Sequence, residues 1–366
     1  MASIALIVEI CIICASLFIP ICCTATAYQS HQQSKKHAVL FVFGDSLFDA
    51  GNNNYINCGI ANQANFWPYG ETFFRYPTGR FCDGRLVPDF IAEYAGLPLI
   101  PPFLQPGLQQ YTNGVNFASG GAGVLNETRQ GVINLKMQLD YFLKVNKALR
   151  QKLGDTEAKK MMMRAVYLFS IGGNDYHNIS SDLPQSYKRE YVGMVIGNLT
   201  SVLKEIYNKG GRKFGFQNAG PLGCIPGTLK RENSSECVQN NSAMAKLHNI
   251  ALSKVLQKLE SELHGFKYSI FDYYTSLSQR VNYPSKYGFK EGKIACCGSG
   301  PYRGVNSCGG KRGVKKYHLC RNPNEHVWFD FAHTTERANQ QLAQLMWRGV
   351  PNVTGPYYNV KALFEM

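Results

Sequence analysis

Val39-Leu40-Phe41-Val42-Phe43 is an unbroken run of five apolar, β-favouring residues closed by Gly44. A strand with one wet face would alternate polar and apolar residues, so an uninterrupted run marks a strand buried on both faces. Residues 165–171, 214–216, 268–271 and, more weakly, Val327-Trp328-Phe329 repeat the pattern, and Gly114-Val115-Asn116-Phe117 is a further candidate. Between them, apolar residues recur at helical spacing. One set is Leu135, Leu139, Phe142 and Leu143; another is Val192, Val195, Ile196, Leu199, Val202, Leu203 and Ile206. A third runs through Leu247, Ile250, Ala251, Val255 and Leu259, and the last through Ala338, Leu342 and Leu345 to Gly349. Gly210-Gly211 stands where the second of these helices needs a left-handed cap. Strands alternating with helices of this length predict right-handed crossovers and a mostly parallel sheet covered on both faces. Residues 51–106 are turn-rich and aromatic, punctuated by Pro68, Pro77, Pro88, Pro98 and Pro101-Pro102. They read as a packed excursion from one domain.

The amino terminus bounds that domain. Residues 4–23 are almost continuously apolar, broken by Glu9, and Ala25-Thr26-Ala27 supplies the small residues of a signal-peptidase site. Residues 1–27 therefore read as a signal peptide and 28–366 as a single domain; an uncleaved anchor is the rival reading. Sequons at Asn126, Asn178, Asn198, Asn233, Asn240 and Asn352 agree with export. Cys11, Cys14, Cys22 and Cys23 leave with the leader, and Cys58, Cys82, Cys224, Cys237, Cys296, Cys297, Cys308 and Cys320 remain. In an oxidising compartment these eight are disulfide candidates, up to four bonds with the connectivity open. Zinc at Cys296, Cys297, Cys308 and Cys320 is disfavoured, because the usual paired C-x₂₋₄-C spacing is missing.

With 45% hydrophobic and 17% charged residues the chain is not disordered, and beyond the leader no apolar run is long enough to span a membrane. The net charge of +14 reads as spread along the chain. Without a basic stripe or a recognised module, nucleic acid is not an expected partner. An anionic surface such as cell-wall pectin fits the sign of the charge, which suits an extracellular protein of the apoplast or cell wall.

In open α/β sheets ligands bind beyond the carboxyl ends of the strands, so what each strand delivers there decides the chemistry. The first delivers Gly44-Asp45-Ser46-Leu47, the second Ala118-Ser119-Gly120-Gly121-Ala122-Gly123, and the third Gly172-Gly173-Asn174-Asp175-Tyr176. The last delivers Asp330 and then His333. A hydroxyl, an imidazole, a carboxylate and tight glycine turns on one edge make up the inventory of nucleophilic acyl transfer.

The residues from Phe43 to Asn53 resemble the first block of the plant GDSL esterase/lipases, in the SGNH hydrolase superfamily. Residues 116–123, 170–176 and 330–333 resemble that family's later blocks, in order, and the likeness covers nearly all the chain beyond the leader. No G-x-S-x-G elbow is present, so an α/β-hydrolase is not expected. The resemblance implies a flavodoxin-like three-layer α/β/α sandwich with a mostly parallel central sheet. It implies Ser46 as nucleophile, His333 as base, Asp330 as its orienter, and the N–H groups of Ser46 and Gly120 with the Asn174 amide as oxyanion hole. The substrate would be a small-molecule or lipid ester, with no metal or organic cofactor. The family commonly has Pro after this histidine, where this chain has Thr334.

Two other readings compete. An acyltransferase would use the same triad with an alcohol acceptor, and a cell-wall or defence protein would bind esters without turnover. Asp45 and Asp49 read as structural acids bonding loop amides, Asn52-Asn53-Asn54 as turn residues, and His177 as a surface residue. The glycines at 120–123 lack the following Lys-Ser/Thr of a phosphate loop.

Overall fold

β1 (Leu40–Gly44) is buried along its whole length and pairs on both sides with parallel neighbours, as its unbroken apolar run requires. In the computed structural model, which describes residues 38–366 except 178, 180–182, 351–352 and 356–357, it is the second strand of a six-stranded sheet. The others are β2 (Gly114–Asn116), β3 (Val166–Ser170), β4 (Lys213–Gln217), β5 (Lys267–Phe271) and, after the short β6 (Cys297–Gly298) and β7 (His318–Leu319), β8 (Thr354–Gly355). The order is β2-β1-β3-β4-β5-β8; the first five are parallel and β8 joins β5 antiparallel. This is the flavodoxin-like order, whose direction of winding reverses between β1 and β3.

Helices cover both faces. On one lie α2 (Leu135–Leu153), α3 (Asp155–Arg164), α4 (Gln185–Asn208) and α6 (Gln239–Glu262), packed on Phe41, Phe43, Tyr167, Phe169, Phe214 and Phe216. On the other lie α1 (Val87–Tyr94), α7 (Tyr273–Asn282), α8 (Glu336–Arg348) and α9 (Val360–Glu365), against Leu40, Val42, Val166 and Leu168. The short α5 (Pro226–Arg231) lies beside the site described below. The alternating residues of each strand thus feed two cores, making three layers. Register also stacks the aromatics across the strands: Phe43 on Phe169 at 4.8 Å, Phe169 on Phe216 at 5.3 Å, Phe41 on Tyr167 at 5.5 Å and Tyr167 on Phe214 at 5.3 Å. Such pairs add about 0.5–1.5 kcal/mol each beyond burial.

Helix α4 stops where expected. Gly210 takes φ 109°, and the N–H groups of Gly210 and Gly211 return to the carbonyls of Tyr207 and Ile206. Val327-Trp328-Phe329 forms no strand of the sheet. Its carbonyls accept from Cys296 and Cys297, and Trp328 bridges to Thr334 in its own loop, so its apolar run reflects burial under loops. The place on the sheet goes instead to β8, only two residues long. The outer side of β2 is taken by the excursion: Asn116 N–H donates to the Pro101 carbonyl, and Phe103 N–H donates to that of Asn116.

Three disulfides are present: Cys224–Cys237, Cys296–Cys320 and Cys297–Cys308. The expectation of a fourth is corrected, because Cys58 and Cys82 are both free and buried. Each occupies a separate polar nest: the Cys58 thiol faces the carbonyls of Asn53 and Asn62, while Cys82 sulfur meets Asp83, the Arg85 carbonyl and Asn339 of α8. Unfolded and unreduced, the described chain is expected to titrate two thiols; none or four with a thiol reagent would contradict this pairing. Asn126, Asn198, Asn233 and Asn240 are exposed, whereas Asn178, Asn352 and the leader lie outside the described residues.

Candidate active site

The tight turn after β1 presents Ser46. Asp45 carbonyl accepts from the N–H groups of Phe48 and Asp49, and the Asp45 carboxylate accepts from Leu47 N–H at 3.0 Å. The strand's last residue is held from both sides by one buried side chain: Gln138 of α2 accepts from Gly44 N–H at 2.9 Å and donates to its carbonyl at 2.8 Å. Ser46 is thereby fixed at the point where the strand order reverses, with its own N–H uncommitted to any protein acceptor among the described residues.

His333 reaches it from the other end of the chain. Its Nε2 lies 2.8 Å from Ser46 Oγ, and its Nδ1 lies 2.7 and 2.9 Å from the two carboxylate oxygens of Asp330. Asp330 also accepts from the backbone N–H groups of Ala332 and His333, so the acid and the imidazole share one local loop, as their spacing predicts. Phe81 lies against the imidazole ring, centroids 4.9 Å apart. Burial works against ionisation of Asp330. It is outweighed by the charge and hydrogen bond of His333, the Arg312 guanidinium and the Tyr69 hydroxyl, which together draw its carboxyl down to about 2. An ionised carboxylate accepts only, so Nδ1 carries the imidazole proton and Nε2 is left as the acceptor facing Ser46.

Sequence reading missed Tyr69 and Arg312. Tyr69 donates to Asp330 Oδ2 at 2.7 Å and accepts from Arg312 at 2.7 Å, closing a buried chain from the acid to the cavity wall. Tyr69 is 261 residues from Asp330 and sits in the aromatic excursion, so no spacing signals the pairing. Thr334 carries a hydroxyl that donates to Asn339, and Thr335 caps α8.

The turns of the first three strands are cross-braced by side chains. Asp49 accepts from Gly51 and Asn52 N–H with one oxygen and from Gly120 N–H, at 2.8 Å, with the other. Asp175 accepts from Val124 and Leu125 N–H and from the Thr128 hydroxyl. The asparagines at 52–54 do more than shape a local turn: Asn52 donates to the carbonyls of Asn116 and Ala118, and Asn53 to those of Asn62 and Gly120. Asp45 and Asp49 are structural acids as expected, and burial raises their carboxyls to about 7 and about 6.

The Asp49 bond changes the oxyanion inventory. Gly120 N–H is already committed, and Gly120 does not line the cavity. The neighbour that does is Gly121, whose N–H has no protein acceptor among the described residues. Its φ of +83° favours glycine there. Asn174 lines the same cavity; one of its amide hydrogens goes to the Ala122 carbonyl at 3.0 Å, leaving the second. The cavity holds about 320 Å³. Leu222, Ile225, Leu277, Trp328 and Phe331 supply an apolar wall, while Asn62, Arg129 and Arg312 supply a polar one. His177 is not a surface residue; it is half-buried in this wall, where burial and the charges of Arg231 and Arg129 lower its basicity.

A family model described as GDSL-like lipase/acylhydrolase matches residues 40–346. The chain is 56% identical over 339 residues to GDSL esterase/lipase 1 of Arabidopsis thaliana, covering 90% of each. It is 49% identical over 333 residues to a GDSL lipase of Tanacetum cinerariifolium, covering 91% of this chain and 89% of that one. A third relative, 38% identical over 332 residues with 89% of this chain and 75% of its own length covered, is called inactive GDSL esterase/lipase-like protein 25 of Arabidopsis thaliana.

Proposed function

Because the chain belongs to the GDSL-like lipase/acylhydrolase family and is accordingly a carboxylic ester hydrolase, we propose that it cleaves esters through an acyl-enzyme on Ser46. The observation that carries this reading is the continuous contact from Ser46 Oγ to His333 Nε2 at 2.8 Å and from His333 Nδ1 to Asp330. Ser46 Oγ attacks the ester carbonyl as its proton passes to His333 Nε2. Asp330, ionised, stabilises the imidazolium. The carbonyl oxygen, now negative, takes hydrogen bonds from the N–H groups of Ser46 and Gly121 and from the Asn174 amide. His333 then protonates the departing alkoxide, and the C–O bond breaks to leave an acyl ester on Ser46. Water adds to that ester, gives its proton to His333, and collapse releases the acid as Ser46 recovers its proton. The net change is ester plus water to acid plus alcohol.

Asn174→Ala tests the oxyanion assignment. Loss of one donor aimed at developing charge costs about 3–4 kcal/mol, so kcat for p-nitrophenyl acetate is expected to fall about 10²–10³-fold with KM little changed. A kcat within threefold of the parent would remove Asn174 from the hole.

We further propose that the protein is exported. The apolar leader at 1–27, four exposed sequon asparagines and three disulfides support an oxidising, glycosylating route. A tagged full-length chain recovered outside the cell without residues 1–27 is the expected result; retention of the leader on a membrane-bound product would overturn it.

A further inference from the structure

We infer that the rim of the cavity is a docking surface for an anionic lipid aggregate. Two segments form this rim, residues 57–70 and 305–322. They are held together from below: Arg312 donates to the carbonyls of Ile60 and Gln63 and to the Tyr69 hydroxyl. Its guanidinium also lies over the Phe66 ring, 4.9 Å from the centroid, and a Cβ on Gly309 would meet the Trp67 carbonyl at 2.5 Å. The disulfides Cys297–Cys308 and Cys296–Cys320 tie down the second segment. Ala61 and Asn62 of the first segment and Asn306 and Arg312 of the second line the cavity, so both segments border it.

The exposed side chains of the rim are of two kinds. Ile60, Trp67 and Val314 are 43%, 52% and 42% exposed. Lys311, Lys315 and Lys316 are exposed beside them and belong to no ion pair of the described residues. Neither segment contains an Asp or Glu, while the second carries Lys311, Arg312, Lys315, Lys316 and Arg321. Ile60 and Trp67 stand on one segment and Val314 on the other, two segments that Arg312 and Gly309 hold against each other, and exposed apolar side chains gathered on one surface mark an interaction site. A Trp with aliphatic neighbours amid lysines is the composition that settles at a lipid interface, apolar groups in the headgroup boundary and ammonium groups on anionic headgroups. A hydrated polyanion would use the lysines, but it would gain nothing from Ile60 and Val314. Delivery of an ester to Ser46 from that surface rests on the proposed function; the docking does not.

The docking is therefore tested in Ser46→Ala of the exported chain without residues 1–27, which leaves both hydrolysis and the apolar leader out of the measurement. The protein is expected to sediment with vesicles containing about one-third phosphatidylglycerol, and weakly with phosphatidylcholine alone. Trp67 is exposed while Trp328 and Trp347 are buried, so binding is expected to shift the tryptophan emission to the blue. Each basic residue at such a surface strengthens partitioning about fivefold, so Lys311, Lys315 and Lys316 together changed to Gln should weaken it about 100-fold. Paired Ile60→Asn and Val314→Ser should also weaken it and remove the emission shift. Folding of the lysine variant is checked by unchanged hydrolysis of soluble p-nitrophenyl acetate with Ser46 intact. Absence of binding, equal sedimentation with both vesicles, or binding undiminished by the lysine changes would overturn the proposal. So would full displacement by polygalacturonate with the Ile60 and Val314 variant unaffected, which would assign the rim to a soluble polyanion.

Discussion

Ser46→Ala is expected to lower kcat/KM for a soluble ester by about 10⁴–10⁶-fold without changing the melting temperature. The substitution removes one oxygen, whose hydrogen bond is to His333 and whose other surroundings are the open cavity. Nothing in the core depends on it: the turn is held by Asp45 carbonyl and carboxylate, and the end of β1 by Gln138. The backbone donors of Ser46 and Gly121 survive the change, so a residual rate above that of water should remain. Esterase assays beside a thermal melt decide the matter. Activity within tenfold of the parent at an unchanged melting temperature would remove Ser46 from the mechanism.

Asp330→Asn should be nearly as damaging to turnover, about 10⁴-fold, while also reducing stability. Asparagine presents an N–H as readily as a carbonyl to His333 Nδ1, so the imidazole no longer has one enforced tautomer. It also places a neutral group where Arg312, Tyr69 and two backbone N–H groups converge on a carboxylate. With the carboxyl drawn from 3.8 to about 2, its ionised form contributes roughly 2 kcal/mol to folding. A depressed acid contributes that stability fully above its unfolded pKa and loses it as pH falls through the folded one. The gap between the melting temperatures of parent and variant should therefore be full at pH 6 and narrow from about pH 4 towards pH 2. A constant gap over that range would deny Asp330 its charged role.

What could be read from sequence followed the range of the interactions. The buried strands were legible because two-faced burial imposes an unbroken apolar run, and Asp330 with His333 because three residues close a local loop. Residues joined only by the fold were not legible. Tyr69 meets Asp330 across 261 positions, and Gln138 meets Gly44 across 94. Asp49 binding Gly120 could not be foreseen from the glycine block, and that bond moves the free N–H to Gly121. Composition misled at two places. Val327-Trp328-Phe329 is apolar because loops bury it, and an even cysteine count suggested up to four bonds, although Cys58 and Cys82 lie in separate nests. The charge is more local than it first reads, since residues 311–316 hold four bases within six positions.

The two margins of the sheet carry a consequence for how the chain behaves in company. β2 has its outer side bonded to Pro101 and Phe103, and β5 has its outer side covered by a strand only two residues long. Part of the row of donors and acceptors that would otherwise template a second molecule is thus spent within the first, at Asn116 on one margin and at Ile270 and Phe271 on the other. Strands this rich in Phe and Val need that cover to avoid edge-to-edge polymerisation. Deleting β8 should therefore endanger solubility well before it disturbs Ser46, which lies at the far side of β3 and β4.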